Sequence, residues 1–303
     1  MCWNHMSKRI QHFLSLKDLS SDDLIKIISR AIELKKDKFK EGYEPLKNKT
    51  LALVFDKSST RTRVSFEVAM THFGGNTLFL SPRDTQLGRG EPIEDTAKVI
   101  SSMVDLIAIR THEHSEIELF AKNSSVPVIN GLTEKFHPCQ LLADMMTYIE
   151  NKGSISGKKV CWIGDINNMC NSYINASKKF GFELSVSCPK DIIEKKKPVD
   201  EIDYYENPID AAKKADLIVT DVWTSMGDEN SSSHDKKFSN YQVNNSITMH
   251  ANKDYVFMHC LPAHIGEEVS QEVFESNHSV VWQEAENRLH AQKALIEFLM
   301  KKE

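Results

Sequence analysis

No apolar run in the 303 residues nears the length of roughly 20 that a membrane span needs. A secretory signal is missing too: Met1-Cys2-Trp3-Asn4-His5-Met6-Ser7-Lys8-Arg9 has neither an apolar core nor a small-residue cleavage site. Cysteine is sparse and unpatterned, at positions 2, 139, 161, 170, 188 and 260 with no Cys-x-x-Cys pair. That usage speaks for a reducing, cytoplasmic setting with free thiols, most of them small core residues. An excess of positive charge is lacking as well. A net of −5 supplies no global basic field for nucleic acid, so an anionic ligand needs a local group of arginines. No Gly-x-Gly-x-x-Gly occurs. Trp162-Ile163-Gly164-Asp165-Ile166-Asn167 follows a strand pattern with a single glycine, which disfavours an oxidoreductase. His112-Glu113-His114 has no third partner at metal spacing and reads as solvated histidines. There are no long repeats.

What is present is an alternation of short apolar runs and helical patterns, the signature of parallel sheet built from βαβ units. Leu24, Ile27, Ile28, Ala31 and Leu34 recur at helical spacing behind the capping run Ser20-Ser21-Asp22-Asp23. Strands are expected at 50–55, 77–80, 106–110 and 126–130, with helices at 93–103 and 115–122 between them. A long helix over 138–150 ends at Asn151-Lys152-Gly153, and the pattern then restarts. Strands at 159–163, 183–187, 217–222 and 255–259 alternate with helices at 168–180 and 210–215. The chain is therefore expected to be α/β, with two domains hinged near 148–155, each a mostly parallel sheet flanked by helices. The boundaries expected are 1–150, 151–285 and 286–303, the last a C-terminal helix returning to the first domain. Lys35 to Lys40 and Lys195 to Lys197 read as solvated helix faces. The Ser-rich, acidic stretch 227–237 reads as a mobile loop.

The sharpest chemical signal is Phe55-Asp56-Lys57-Ser58-Ser59-Thr60-Arg61-Thr62-Arg63, between a strand and a helix with apolar Val64, Val68 and Ala69. A helix start carries unpaired N–H groups and partial positive charge, and so binds phosphate readily. Hydroxyl donors and arginines at that start add charge-assisted contacts. A capped helix with surface arginines is the competing reading.

Ser-Thr-Arg-Thr-Arg after a strand resembles the phosphate-binding signature of the aspartate and ornithine carbamoyltransferase family. Other stretches match that family in order. His137-Pro138-Cys139-Gln140 resembles its His-Pro-x-Gln, Arg110 ends a strand where the family has an arginine, and Gln86-Leu87-Gly88-Arg89-Gly90-Glu91 resembles a closing loop. Asp165 to Ser172, Asp221 to Gly227, His259-Cys260-Leu261-Pro262-Ala263 and Glu284-Ala285-Glu286-Asn287-Arg288 are similar to the ornithine branch. The resemblance spans roughly residues 8 to 300.

The resemblance implies transfer of a carbamoyl group from carbamoyl phosphate to the side-chain amine of ornithine. Citrulline and phosphate would be the products, within arginine metabolism and in the biosynthetic direction. Arg110, His137 and Thr62 are expected at the carbonyl oxygen, where negative charge develops and fixed donors act most strongly. Ser59, Thr60, Arg61 and Thr62 would hold the phosphate, aided by Arg288. Gln140 and the backbone carbonyl near Leu261, beside Cys260, would receive the carbamoyl N–H₂. His137 alone would read as a helix cap before proline.

Asp221 and Cys260 are expected at the ornithine amine, with Cys260 as a thiolate or proton acceptor. A carboxylate beside an amine favours its charged form, so Asp221 would recognise rather than deprotonate. Asn168, Ser225 and the Met226 backbone would take the α-groups, with the loop at 225–227 closing over them. No cofactor or metal is expected, nor a nucleic-acid or membrane partner. The resemblance further implies a homotrimer, or a multiple of it, with Gln86 reaching a neighbouring subunit's site. The alternatives are putrescine, N-acetylornithine or aspartate as acceptor, a non-catalytic binding subunit, and a thiol hydrolase built on Cys260.

Overall fold

A computed structural model describes residues 10–37, 42–56, 59–81, 90–196, 198–223 and 237–301. Strands β1 (Thr50–Phe55), β2 (Asn76–Leu80), β3 (Leu106–Arg110) and β4 (Val128–Leu132) form a parallel sheet in the order β2-β1-β3-β4. A second parallel sheet holds β5 (Lys159–Ile163), β6 (Glu183–Ser187), β7 (Asp203–Tyr205), β8 (Leu217–Thr220) and β9 (Val256–His259) in the order β7-β6-β5-β8-β9. The expectation of two parallel, helix-flanked sheets holds. In each sheet the strand order reverses about the first strand, between β1 and β3 and between β5 and β8. Ligand crevices open at the carboxyl ends of strands at such reversals.

Alternate residues of the first sheet face opposite layers. Leu51, Leu53, Phe55, Leu106, Ala108 and Ile129 join one buried cluster, while Ala52, Val54, Ile107, Ile109 and Val128 join another. A strand's period of two makes this division, and sheets covered on both faces read as unbroken apolar runs. The segment at Phe13 covers the β4 edge, donating from its N–H to Val128 and accepting from Asn130. Covering an edge removes a template for unwanted pairing.

Helix α1 (Ser21–Lys36) buries Leu24, Ile27, Ile28, Ala31 and Leu34, the set read from the sequence. Each large aliphatic among them contributes roughly 1.5–3 kcal/mol by leaving water. Helices α2 (Thr60–His72), α3 (Ile93–Ser101), α4 (His114–Asn123) and α5 (Pro138–Lys152) complete the first layers. Around the second sheet lie α6 (Asn168–Phe180), α7 (Lys190–Lys196), α8 (Pro208–Ala212) and two short helices, Asn245–Thr248 and Gln271–Phe274. The C-terminal helix, Val281–Met300, packs back on α1, α2 and α5 as expected. No described helix is long and apolar enough to cross a membrane.

Several local expectations need correction. The fourth strand begins at Val128 rather than 126, because Pro127 has no N–H to give a ladder. Helix α8 starts at Pro208, with Asn207 accepting from Ile209 N–H at 2.9 Å, an Asn-Pro start signal that outranks the pattern read over 210–215. Val64 is exposed, since α2 buries Thr62, Ser65, Phe66, Ala69 and Met70 instead. His114 is buried rather than solvated, edge-on to Phe136 with Nδ1 3.0 Å from Thr133 Oγ1. Lys35 is no solvated charge either: its ammonium bonds Glu150 at 3.1 Å and Asn287 at 2.7 Å. The last turn of α5 occupies 148–152, inside the expected hinge, and Gly153 ends it at φ +75°. The expected mobile loop lies almost wholly outside the described residues, as do Lys38 to Lys40.

The buried helix histidines make acid a specific threat. Burial, helped by the charges of Lys35 and Lys293, pulls His290 down to about 4. Its unfolded value is about 6.5. A base depressed in the fold contributes stability that is complete above the unfolded pKa and is lost as pH falls toward the folded one. Burial lowers His72, His114 and His137 in the same direction. The unfolding free energy from urea titrations should therefore fall between pH 6.5 and pH 4 by about 2 kcal/mol on account of His290, and His290→Leu should flatten that slope. An unchanged slope in the variant would remove His290 from the account.

Candidate active site

The strand ends bring together, between the two sheets, those sequence-marked residues that are described. Ser59 stands at the N-terminus of α2, just past β1, and its side chain makes no cap bond to the helix. Instead its Oγ accepts from Arg110, at the end of β3, at 3.1 Å. Thr60 is exposed at the first helical position. Arg61 crosses to the other sheet, its guanidinium donating to the Leu261 carbonyl at 2.7 Å. Thr62 is buried and accepts from Arg288 at 2.8 Å. Arg288 also donates to Gln140 Oε1 at 2.9 Å, while its buried Nε finds no partner among the described residues.

Three guanidinium groups thus converge in a largely dry place. Burial, then Arg288 and Arg61, pull Arg110 down to about 10. Arg288 is lowered too, by burial first. These shifts record positive charge gathered in a buried place, which a bound dianion would offset. His137 stands at the N-cap of α5, its backbone N–H donating to Ser172 Oγ at 2.8 Å. Burial, then Arg288, Arg110 and Arg61, hold its imidazole well below the ordinary histidine range. It is therefore neutral, and its buried Nδ1 has no partner among the described residues. A neutral ring nitrogen can donate a hydrogen bond without carrying charge.

The second sheet supplies the other wall. Asp221 follows β8, and its carboxylate accepts from Asn167 Nδ2 at 2.8 Å, Val222 N–H at 2.9 Å and Cys260 Sγ at 3.1 Å. Asn167 in turn caps α6, accepting from Met169 and Cys170 N–H. Neighbouring Asn168 donates to the Thr133 carbonyl at 2.7 Å and ties α6 to the first sheet. Burial, then Asp221 and Glu284, push the Cys260 thiol well above its ordinary range. The sulfur lies as a donor to Asp221 and burial holds its proton, which speaks against the expected thiolate or proton acceptor at Cys260. Gln86, Ser225 and Met226 lie outside the described residues.

Several groups that support Leu261 and Gln140 had no role in the sequence reading. Leu261 adopts φ +59°, uncommon for a residue with a Cβ, and its N–H donates to His259 Nδ1 at 2.9 Å. His259 Nε2 meets Glu268 at 3.0 Å, with both side chains fully buried. Asp221, His259 and Cys260 place three ligand-type atoms within 4.8 Å of one another. Both His259 nitrogens are already engaged, so this cluster is a hydrogen-bonded support for the loop at 260–262. Asp144 and Glu284 flank Gln140 and were likewise unassigned. Asp144 lies four residues after Gln140 on one helix, a spacing that puts both on one face.

Known proteins match the chain in sequence and in fold. Residues 11–150 match the family described as aspartate/ornithine carbamoyltransferase, carbamoyl-P binding domain. Residues 156–299 match its Asp/Orn binding domain. An ornithine carbamoyltransferase of Hydrogenovibrio crunogenus is 60% identical over 299 residues, covering 97% of this chain and 99% of its own. The crystal structure of ornithine carbamoyltransferase from Burkholderia thailandensis superposes with a TM-score of 0.89 at 49% identity, covering 96% of this chain and 99% of that one. The anabolic ornithine carbamoyltransferase of Campylobacter jejuni does so with 0.86 at 42% identity, covering 95% and 98%. By sequence over nearly its whole length, and by fold, this chain belongs to the aspartate/ornithine carbamoyltransferase family.

Proposed function

We propose that the protein transfers the carbamoyl group of carbamoyl phosphate to the side-chain amine of L-ornithine, releasing L-citrulline and phosphate. The observation that carries this reading is the convergence of Arg61, Arg110, Arg288 and neutral His137 opposite the Asp221–Cys260 pair. The first group suits an anionic donor and an oxyanion. The second suits a cationic acceptor. The ornithine ammonium first releases one proton to solvent. The neutral amine then forms a C–N bond with the carbamoyl carbon, the C–O bond to phosphate breaks, and the second amine proton leaves with the phosphate. Negative charge on the carbonyl oxygen is met by Arg110, His137 and Thr62, donors fixed before the charge appears. Ser59, Thr60 and Arg61, with Arg288, hold the departing phosphate, and Gln140 with the Leu261 carbonyl receives the carbamoyl N–H₂. Asp221 orients the ornithine ammonium, which displaces the Cys260 thiol as donor. Asn168, Ser225 and the Met226 backbone bind its α-groups.

Carbamoyl phosphate belongs with residues 1–150 and ornithine with 151–285, with 286–303 bracing the first unit. Gln86 acts in a neighbouring subunit's site within a homotrimer. The exposed apolar side chains of Val64 and, on edge strand β2, Leu78 support burial against another copy. The setting is the cytoplasm, in keeping with the buried free thiols of Cys139, Cys161, Cys170 and Cys188. The direction is arginine synthesis, supported by the likeness to the anabolic Campylobacter enzyme.

Arg61 now holds the Leu261 carbonyl across the cleft. A phosphate drawing on Arg61 frees that carbonyl for the carbamoyl group, so the anion must bind before ornithine. Norvaline, which lacks the reacting amine, should then inhibit uncompetitively against carbamoyl phosphate. A competitive or noncompetitive pattern would contradict this order. With putrescine, N-acetylornithine and aspartate tried in parallel, ornithine should be the preferred acceptor. Preference for putrescine would retain the family and overturn the assignment of the α-groups.

A further inference from the structure

Gln140 is held by an unusual set of neighbours. Its Nε2 donates to Asp144 Oδ1 at 2.9 Å and to Glu284 Oε1 at 3.0 Å, while its Oε1 accepts from Arg288 at 2.9 Å. A carboxyl oxygen accepts and a guanidinium only donates, so the amide has one permitted orientation. Both carboxyl groups are fully buried. Two carboxyl groups buried against one amide nitrogen hold a proton between them, since burial raises both. Asp144 has a further donor in the Tyr173 hydroxyl at 2.8 Å. Glu284 has one in the His259 backbone N–H at 2.9 Å, on the last residue of β9 before Cys260 and Leu261. One carboxyl on the C-terminal helix thus touches Gln140 on α5 and the strand that leads into Leu261.

We propose that Glu284, with Asp144 as the second acceptor of Gln140 Nε2, is a positioning residue that sets both acceptors of the carbamoyl N–H₂, the Gln140 side-chain oxygen and the Leu261 carbonyl. Through Nε2 the pair turns Gln140 Oε1 away from itself, toward Arg288 and the substrate. Through the His259 N–H it fixes the height of β9 against the first sheet, and with it the carbonyl two residues on. Burial raises both carboxyl groups, which keeps the shared proton in place at neutral pH. The pair then carries about one negative charge beside Arg288, and the buried set is close to neutral. A buried polar network of this kind is useful only when every member is satisfied.

This rests on the assignment of Gln140 to the carbamoyl N–H₂, so the test treats the two claims separately. Steady-state constants are measured for Gln140→Ala, Glu284→Gln and the double variant, with Asp144→Asn as an independent second route into the network. Direct binding of inorganic phosphate is measured alongside. In Glu284→Gln the new amide presents N–H to one of two donors, Gln140 Nε2 or His259 N–H. The KM for carbamoyl phosphate should rise and its kcat/KM fall by roughly 30-fold, a coupling size usual for contacting residues. The KM for ornithine and the affinity for phosphate should stay within about threefold, a split that general loosening of the fold would not produce. In the Gln140→Ala background the same substitution should cost clearly less than in the wild type, the remainder being the loss at the Leu261 carbonyl. Wild-type constants in Gln140→Ala would overturn the assignment of Gln140 itself. A damaged Gln140→Ala with fully additive losses, or Glu284→Gln and Asp144→Asn both at wild-type kcat/KM, would leave that assignment standing and overturn the positioning role.

Discussion

Replacing Arg110 with methionine should lower kcat by about a thousandfold, the upper range for losing one fixed oxyanion donor, while making the unliganded protein more stable. The two effects share one cause. Arg110 is buried at the end of β3 beside Arg61 and Arg288, and its lowered pKa of about 10 records what that crowding costs. A methionine of similar length removes a buried charge and should stabilise the free fold by on the order of 2 kcal/mol. Inorganic phosphate, which relieves the same repulsion in the native protein, should raise its melting temperature clearly and that of Arg110→Met much less. Activity lost together with stability would make Arg110 a structural residue and remove it from the oxyanion site.

Asp221→Asn should reduce kcat/KM for ornithine by about a hundredfold or more, a loss expected when a buried carboxylate stops meeting a charged partner. The KM for carbamoyl phosphate should hold within about twofold. The carboxylate now satisfies Asn167, Val222 and Cys260, three donors with no competing acceptor. An asparagine keeps the shape but turns an N–H₂ toward one of them and has no charge for the ornithine ammonium. Putrescine carries the same amine and should lose as much. Equal damage to the constants of both substrates would mean that Asp221 only braces the β8 loop. Cys260 should not titrate in the working range, since burial and Asp221 keep its thiol protonated.

Much of this site was legible because its parts are contiguous. Ser59 to Thr62 follow a buried apolar strand and open a helix, and a phosphate site needs little beyond such a turn. His137 before Pro138 likewise announces a helix start. The strands at 50–55, 106–110, 159–163 and 183–187 were read at their observed positions, being short apolar runs between turn signals. Strand β7 was missed because Asp203-Tyr204-Tyr205 has no apolar run of its own, and α7 because it buries no residue. The role of Glu284 was hidden for another reason. Its bond to Gln140 joins residues 144 apart, and a spacing of that size leaves no pattern in one sequence. The same holds for Arg61 and Leu261, 200 residues apart. The state of Cys260 depended on how deeply Asp221 and Glu284 sit beside it, which residue type alone does not fix.

The most direct test of the account follows carbamoyl phosphate with L-ornithine over the purified protein, measuring citrulline and phosphate together in the wild type and in Arg61→Gly. The account predicts the two products in one-to-one ratio from the wild type, with both lost in Arg61→Gly, whose guanidinium both faces the phosphate and bridges the cleft. Phosphate without citrulline, or an Arg61→Gly variant as active as the wild type, would contradict it.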